Sequence, residues 1–237
     1  DGPKATNDVN RIFKNSTRSV YDCVMDKIKL LKSHKINIGL SITITNELLD
    51  DAGFLYWLKD LDVKDINYNL MHFTHKTNDW GEYYRKASEF LFKSHEFLFP
   101  YGIVDDRIQR KIRAFGAREF KYNDCGAIGG HQLCFSPNGD ISVCHGLWNS
   151  TDQKCGNILY NSFEDILQKS TFRKWQNNLT VNKEQCINCP AIYICGGGCA
   201  MQSRDLFGDF TCIDEAFCIH TKITLEKLLD NLVRDKT

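Results

Sequence analysis

Apolar and polar positions change period several times along this chain, and each change marks an element. Val20, Val24, Ile28 and Leu31 recur at helical spacing and predict a helix over about 19–32. Over 36–45 the period drops to two, with Ile36, Ile38, Leu40, Ile42 and Ile44 alternating with Asn37, Gly39, Ser41, Thr43 and Thr45, the signature of a strand. Asn46 reads as the N-cap of a helix over 47–61, and a second alternating strand follows over 65–70. Strand, helix and strand make a βαβ unit, whose strands are expected to be parallel with a right-handed crossover. One strand face is polar, carrying Asn37, Ser41, Thr43, Thr45, Asn67 and Asn69, so it is expected to line a wet or ligand-filled lumen. An antiparallel sheet with one solvated face fits the alternation as well, and the intervening helix favours the barrel.

Further on, amphipathic helices are expected over 82–99, with Tyr84, Phe90, Leu91 and Leu98 inward, and over 104–115, with Ile108, Ile112 and Phe115 inward. Residues 131–144, HQLCFSPNGDISVC, read as a β-hairpin in which Gly139 takes the left-handed position of a three-residue loop and Ser136 pairs with Asp140. That register puts Leu133, Phe135, Ile141 and Val143 on one face and Cys134, Ser142 and Cys144 on the other. Short helices near 163–168 and 172–177 follow. A closing helix begins at about 217, with Leu225, Leu228, Leu229 and Leu232 expected inward.

Composition narrows the function classes. The chain has 237 residues, enough for one large or two small domains, and 30 basic residues balance 30 acidic ones. Without net charge or a basic stripe, a nucleic-acid partner has no electrostatic footprint. No apolar run reaches membrane-spanning length and no signal peptide opens the chain, so a membrane partner is not expected and a reducing cytoplasm fits. Ten of the eleven cysteines come after residue 124. The exception, Cys23, is expected as a small buried hydrophobe on a helix.

The densest chemistry is CINCPAIYICGGGC, residues 186–199, with four thiols at CxxC, Cx5C and Cx3C spacing and three consecutive glycines. Glycine accepts positive φ, so this run lets the backbone fold tightly around something that the thiolates hold. A disulfide knot needs an oxidising compartment. A zinc ribbon uses two CxxC knuckles, whereas this chain has one and a large pool of further cysteines, so an iron-sulfur cluster is the stronger expectation.

Cys125 is followed by Gly139, Cys144, the CxxCx5CxxxC run and a last cysteine, Cys218, in DEAFC before the closing helix. This resembles the SPASM domain of radical S-adenosylmethionine (AdoMet) enzymes, and the opening DGPKATNDVNR resembles a segment that follows a strand of their barrel, with Asn7 where histidine is usual. The resemblance implies an α/β fold class: the C-terminal half of a partial (β/α)6 TIM-like barrel with linking helices over 1–118, then a small cysteine-rich α+β SPASM domain over 119–237. It implies two auxiliary 4Fe-4S clusters. Cys125, Cys144 and Cys199 would hold the first, with Cys134, Cys212 or an open iron site as the fourth position, and Cys186, Cys189, Cys195 and Cys218 the second. Cys155 matches no position and is expected to be structural. The CxxxCxxC signature that would hold a third 4Fe-4S cluster and bind AdoMet does not occur in these residues, which implies the C-terminal portion of a longer enzyme.

The activity implied is oxidative modification, through a 5'-deoxyadenosyl radical, of side chains in a ribosomally made precursor peptide, with a crosslink as product and flavodoxin or ferredoxin as reductant. Alternatives are a formylglycine maturase of the anaerobic sulfatase type, a non-catalytic iron-sulfur electron-transfer module and a zinc-stabilised interaction domain. Arg11, Thr43 and Asn67 are expected near AdoMet. His145, directly after Cys144, is the candidate proton acceptor, since an imidazole titrates near neutral pH.

Overall fold

The computed structural model describes residues 1–76 and 79–234; the last three residues of the expected C-terminal domain, 235–237, lie outside the described residues. The chain forms two compact units, one of Asp1–His72, Gly81–Ile112 and the residues from Glu226 on, the other of Phe73–Trp80 and Arg113–Leu225.

The first unit is built on a three-stranded parallel sheet in the order β1 (Gly39–Ile44), β2 (Asp65–Leu70), β3 (Val104–Asp105). Its helices are α1 (Lys4–Asn10), α2 (Val20–Ser33), α3 (Asn46–Leu49), α4 (Phe54–Asp60) and α5 (Trp80–Leu98), with α6 (Asp106–Ala117) continuing into the second unit. Parallel pairing, with Ser41 opposite Asn67 and Thr43 opposite Asn69, excludes the antiparallel alternative. Ile42, Ile44, Ile66, Tyr68 and Leu70 point into a core with Leu48, Phe54, Leu58 and Leu91. The other face is polar: Ser41 and Asn67 are exposed, Thr43 and Asn69 half-buried, and Asn69 Nδ2 donates to Ser41 Oγ at 2.7 Å.

Several expectations are corrected here. The first strand is shorter than 36–45, and Ile36 is exposed outside the sheet. The helix over 47–61 is two helices, because the Asp51 carboxylate accepts the Gly53 N–H at 2.8 Å and turns the chain between them; Thr45, not Asn46, is the N-cap. The helix expected from 104 starts at Asp106, since Val104 and Asp105 add a third strand beside β2. Cys23 is half-buried on α2, its Sγ 3.3 Å from Arg18 Nη2, and is not a core residue.

The second unit holds an antiparallel sheet in the order β4 (Cys134–Phe135), β5 (Asp140–Ser142), β6 (Lys154–Asn157). The expected hairpin register is present: Cys134 faces Ser142, the Ser136 N–H bonds Asp140 O at 2.9 Å, and Gly139 has φ +82°. Ile141 and Val143 are buried with Cys155, Phe172, Trp175 and Phe210, while Phe135, on the edge strand, is exposed. Around them run α7 (Phe163–Gln168), α8 (Ser170–Gln176), α9 (Glu184–Ile187), α10 (Ile192–Cys195) and α11 (Ala200–Phe207). The closing helix α12 (Glu215–Arg234) buries Ala216, Phe217, His220, Thr221, Thr224 and Leu228, whereas Leu229 and Leu232, expected inward, are exposed. No helix among the described residues is long and apolar enough to cross a membrane.

Candidate metal centre

The glycine run behaves as its composition requires. Gly196, Gly197 and Gly198 have φ of +72°, +93° and +74°, between the end of α10 at Cys195 and Cys199, the N-cap of α11. A Cβ on Gly196 would lie 2.5 Å from the Asp124 backbone nitrogen, whose N–H donates to Gly196 O at 2.7 Å, so the turn packs directly on the segment leading to Cys125. A Cβ on Gly198 would meet the Asp214 and Phe217 side chains at 2.9 and 2.8 Å. Asp214 is buried; its Oδ2 accepts the Cys199 N–H at 2.9 Å and its Oδ1 the Phe217 N–H at 3.0 Å. One carboxylate thus caps α12, whose first turn carries Cys218, and holds Cys199 in place. The CxxC closes as a single turn, with the Cys189 N–H on Cys186 O at 3.0 Å.

Electrostatically the thiols fall into two groups. Burial raises the pKa of Cys134, and the nearby Cys125 thiol raises it further. Burial likewise raises Cys144, eased by the Gly146 and Leu147 N–H groups, with Cys125 and Cys134 adding to the rise. Cys199 is pushed up to about 12, chiefly by burial, then by Asp214 and Cys144. In the second group Cys186 is raised by burial and by Cys195 and Cys189, and Cys218 is pushed up to about 12 by burial, Cys195, Asp214 and Cys186. Cys212 sits beside the second group: Lys183 Nζ donates to Cys212 O at 3.0 Å and feels the thiols of Cys186, Cys212 and Cys218. Cys134 is therefore with Cys125 and Cys144, and Cys212 is not. Cys155 is a core residue, pushed up to about 11 by burial.

The thiols of the two groups are half-buried, except Cys144, which is buried. As thiolates they would repel one another and desolvation would disfavour each charge, a cost that a cationic core held between them would offset. The donor chemistry and the Cβ-free turn fit an iron-sulfur cluster.

In the first unit, Arg11 Nε pairs with Asp1 Oδ2 at 2.7 Å, and Asp1 Oδ1 accepts the Thr43 N–H at 2.9 Å, so Arg11 and Thr43 meet through one carboxylate. Asn67 is exposed on the same polar sheet face, opposite Ser41, without a bond to that trio. Gly2 of the DGP segment has φ +102°, and a Cβ there would lie 2.5 Å from Leu48 Cδ2. His145 is exposed on the short turn His145–Leu147 that follows Cys144. Asp214 escaped the sequence reading as a functional residue, although a short acidic side chain just before a helix is a recognisable cap.

Comparison with known proteins agrees with this geometry. The SPASM family, described as an iron-sulfur cluster-binding domain, matches residues 125–190. The radical SAM cyclopropyl synthase TigE of Paramaledivibacter caminithermalis is 28% identical over 109 residues, covering 46% of this chain and 22% of that protein. The structure of native anSMEcpe with bound AdoMet aligns with a TM-score of 0.80 at 18% identity, over 99% of this chain and 66% of that one. The structure of native anSMEcpe with AdoMet and Cp18Cys peptide aligns at 0.75 and 18% identity, over 99% and 67%. The chain thus spans about a fifth of the curated relative and about two thirds of the solved chains. The expected fold class is borne out: a β/α part and a cysteine-rich part align over 99% of the chain with the AdoMet-bound structure, and residues 125–190 match the SPASM model.

Proposed function

From a chain of the radical AdoMet/SPASM type, we propose a maturase that oxidatively modifies side chains of a ribosomally made precursor peptide, joining two of them. The observation that carries this reading is the interleaving of the thiols. The three positive-φ glycines turn the chain between Cys195 and Cys199, whose N–H bonds Asp214; Cys144 of the hairpin adds to the raised pKa of Cys199, while Cys195 adds to those of Cys186 and Cys218. Cys125, Cys134, Cys144 and Cys199 then hold one auxiliary 4Fe-4S cluster and Cys186, Cys189, Cys195 and Cys218 a second. When bound, these clusters supply one-electron chemistry. The chain's own part is positional: the glycine turn and Asp214 fix the spacing between the two ligand sets, and burial keeps water from the thiolates.

AdoMet and the third cluster belong, in this proposal, to the complete enzyme, in which these residues form the C-terminal portion and work in the cytoplasm with a flavodoxin or ferredoxin as reductant. Thr43 and Asn67 lie on the polar face of the sheet, and Asp1 ties Arg11, at the end of α1, to the Thr43 backbone N–H; in this proposal the three line the cofactor site. His145 is exposed beside the first ligand set and accepts the substrate proton. Bond formation balances: abstracting one hydrogen and closing a bond leaves one electron and one proton, which a neighbouring cluster and a base remove. The likeness to a cyclopropyl synthase, whose name denotes ring closure, points the same way.

The test is co-expression of the full-length enzyme with its precursor peptide under anaerobic conditions, with intact-mass and fragment analysis of the product. Loss of two hydrogens with an internal link is expected. Formylglycine in a sulfatase-derived peptide would instead establish the sulfatase-maturing alternative.

A further inference from the structure

The two ligand sets lie in different surroundings. Cys125 and Cys144 pack on the apolar core that holds Val143, Leu147 and Ala200. The donors that reach the sulfurs of the first set are backbone N–H groups: Ala127 N–H donates to Cys125 Sγ at 3.5 Å, those of Gly146 and Leu147 act on Cys144, and those of Met201 and Gln202 on Cys199. The second set borders an open cleft of about 580 Å³, lined by Cys186, Cys189 and Cys218 together with Glu215 and Lys222. Lys222 follows Cys218 by one turn of α12, so the two share a face of that helix. Lys183 is half-buried. Its carbonyl accepts the Cys186 N–H at 2.9 Å, and its Nζ donates to Cys212 O at 3.0 Å, which holds the ammonium beside the thiols of Cys186, Cys212 and Cys218.

Both ammonium groups act on Cys186, and Lys222 acts on Cys218 as well. The carboxylates nearby do not cancel them. Asp214 acts on Cys218 but also on Cys199, so it counts against both sets. Asp209 feels Lys183, the exposed Glu184 follows Lys183 in the chain, and Glu215 shares the cleft of Lys222; none of the three is a main influence on the Cys186 or Cys218 thiol. Next to the first set, Lys121 and Asp124 form an ion pair at 3.8 Å that is neutral as a unit, and His145 is exposed. Among the described residues, no lysine or arginine is a main influence on Cys134, Cys144 or Cys199.

Reduction adds one negative charge to a cluster, and a nearby cation favours the more negative form. We propose that Lys183 and Lys222 raise the reduction potential of the second cluster and leave that of the first unchanged. The two lysines then make the second set a stronger electron acceptor than its thiolates alone would be. The proposal rests on the reading that Cys186, Cys189, Cys195 and Cys218 hold a cluster, and it adds the residues that tune it.

The test is a redox titration of the iron-loaded chain followed by electron paramagnetic resonance, with Cys134→Ala marking which of the two one-electron waves belongs to the first set. Lys183→Met should make reduction of the second cluster about tenfold less favourable, about 59 mV for one electron, and Lys183→Arg, which keeps the charge, should hold the parent wave. Lys222→Gln should move the same wave in the same direction by less, and added salt should shrink that shift, because Lys222 is exposed. Iron content is read on every sample, and the exposed Lys222 site decides the matter if Lys183→Met loses iron. With iron intact, an unmoved second wave in Lys222→Gln, a Lys183→Arg shift as large as that of Lys183→Met, or equal shifts of both waves overturns this proposal and leaves the maturase reading standing. A parent without two reducible clusters strikes the cluster reading, and this proposal with it.

Discussion

Gly196 and Gly208 separate two effects that a sequence cannot distinguish. Both have positive φ, +72° and +85°, but a Cβ on Gly208 meets nothing within 4 Å, while one on Gly196 lies 2.5 Å from the Asp124 backbone nitrogen. Left-handed backbone costs an L-residue about 1–2 kcal/mol. Gly208→Ala should lose only that, whereas Gly196→Ala adds a clash that no rotamer relieves and should lose more than about 2 kcal/mol. Urea denaturation of both variants, with iron content as a second readout, checks this; equal losses would mean that the Asp124 segment moves aside freely. The need for glycine here was legible in three adjacent glycines between cysteines. What fills the space of their missing side chains was not, because Asp124 and Asp214 reach the turn from distant parts of the chain. The same limit applied to the fourth candidate ligand, where spacing left Cys134 and Cys212 open and the packing of the hairpin places only Cys134 beside Cys125 and Cys144.

Elements were legible where one period held throughout. Strand β2 matches its expected bounds because its alternation is unbroken from Asp65 to Leu70. Helix α12 misled because its buried stripe includes His220, Thr221 and Thr224, polar residues that hide the inward face, while Leu229 and Leu232 imitate one. Strand β3 is two residues long, too short for any period to show. Its last residue, Asp105, carries a prediction. Asp105 is 3% exposed and caps α6, with Oδ1 accepting the Arg107 N–H at 3.2 Å and Oδ2 the Ile108 N–H at 3.0 Å. Burial outweighs these bonds and pushes its pKa from 3.8 up to about 6. A carboxyl that holds its proton more tightly when folded adds most stability below its unfolded pKa, and that contribution is lost as pH rises from 3.8 through about 6. Asparagine caps as well and does not titrate. Relative to Asp105→Asn, the parent should lose up to about 3 kcal/mol between about pH 4 and about pH 7. Parallel pH profiles for the two proteins would show that Asp105 is not buried in its charged form.

At the scale of the molecule, the chain contains two kinds of order. The first unit has a core of large apolar residues on a parallel sheet and long helices, with Tyr68, Phe54 and Leu91 fully enclosed. The second has a small core in which Trp175 stacks on Phe210 at 4.7 Å, and beside it a stretch whose helices α9 and α10 are four residues each and whose turn is three glycines at positive φ. Helices of one turn do not persist on backbone hydrogen bonds alone, and the thiols they carry can become thiolates side by side only when bound metal offsets their mutual repulsion. In the proposed reading, cluster binding and folding are therefore expected to be coupled in that stretch and not in the first unit. Removal of iron from reconstituted protein should give a graded response in hydrogen exchange: amides of 184–199 and of the first turn of α12 lose protection most, those around Trp175 less, and those of β1 and β2 keep theirs. Uniform loss in both units would show that the metal holds the whole chain together, and no change in 184–199 would show that the short helices and the glycine turn are stable without it.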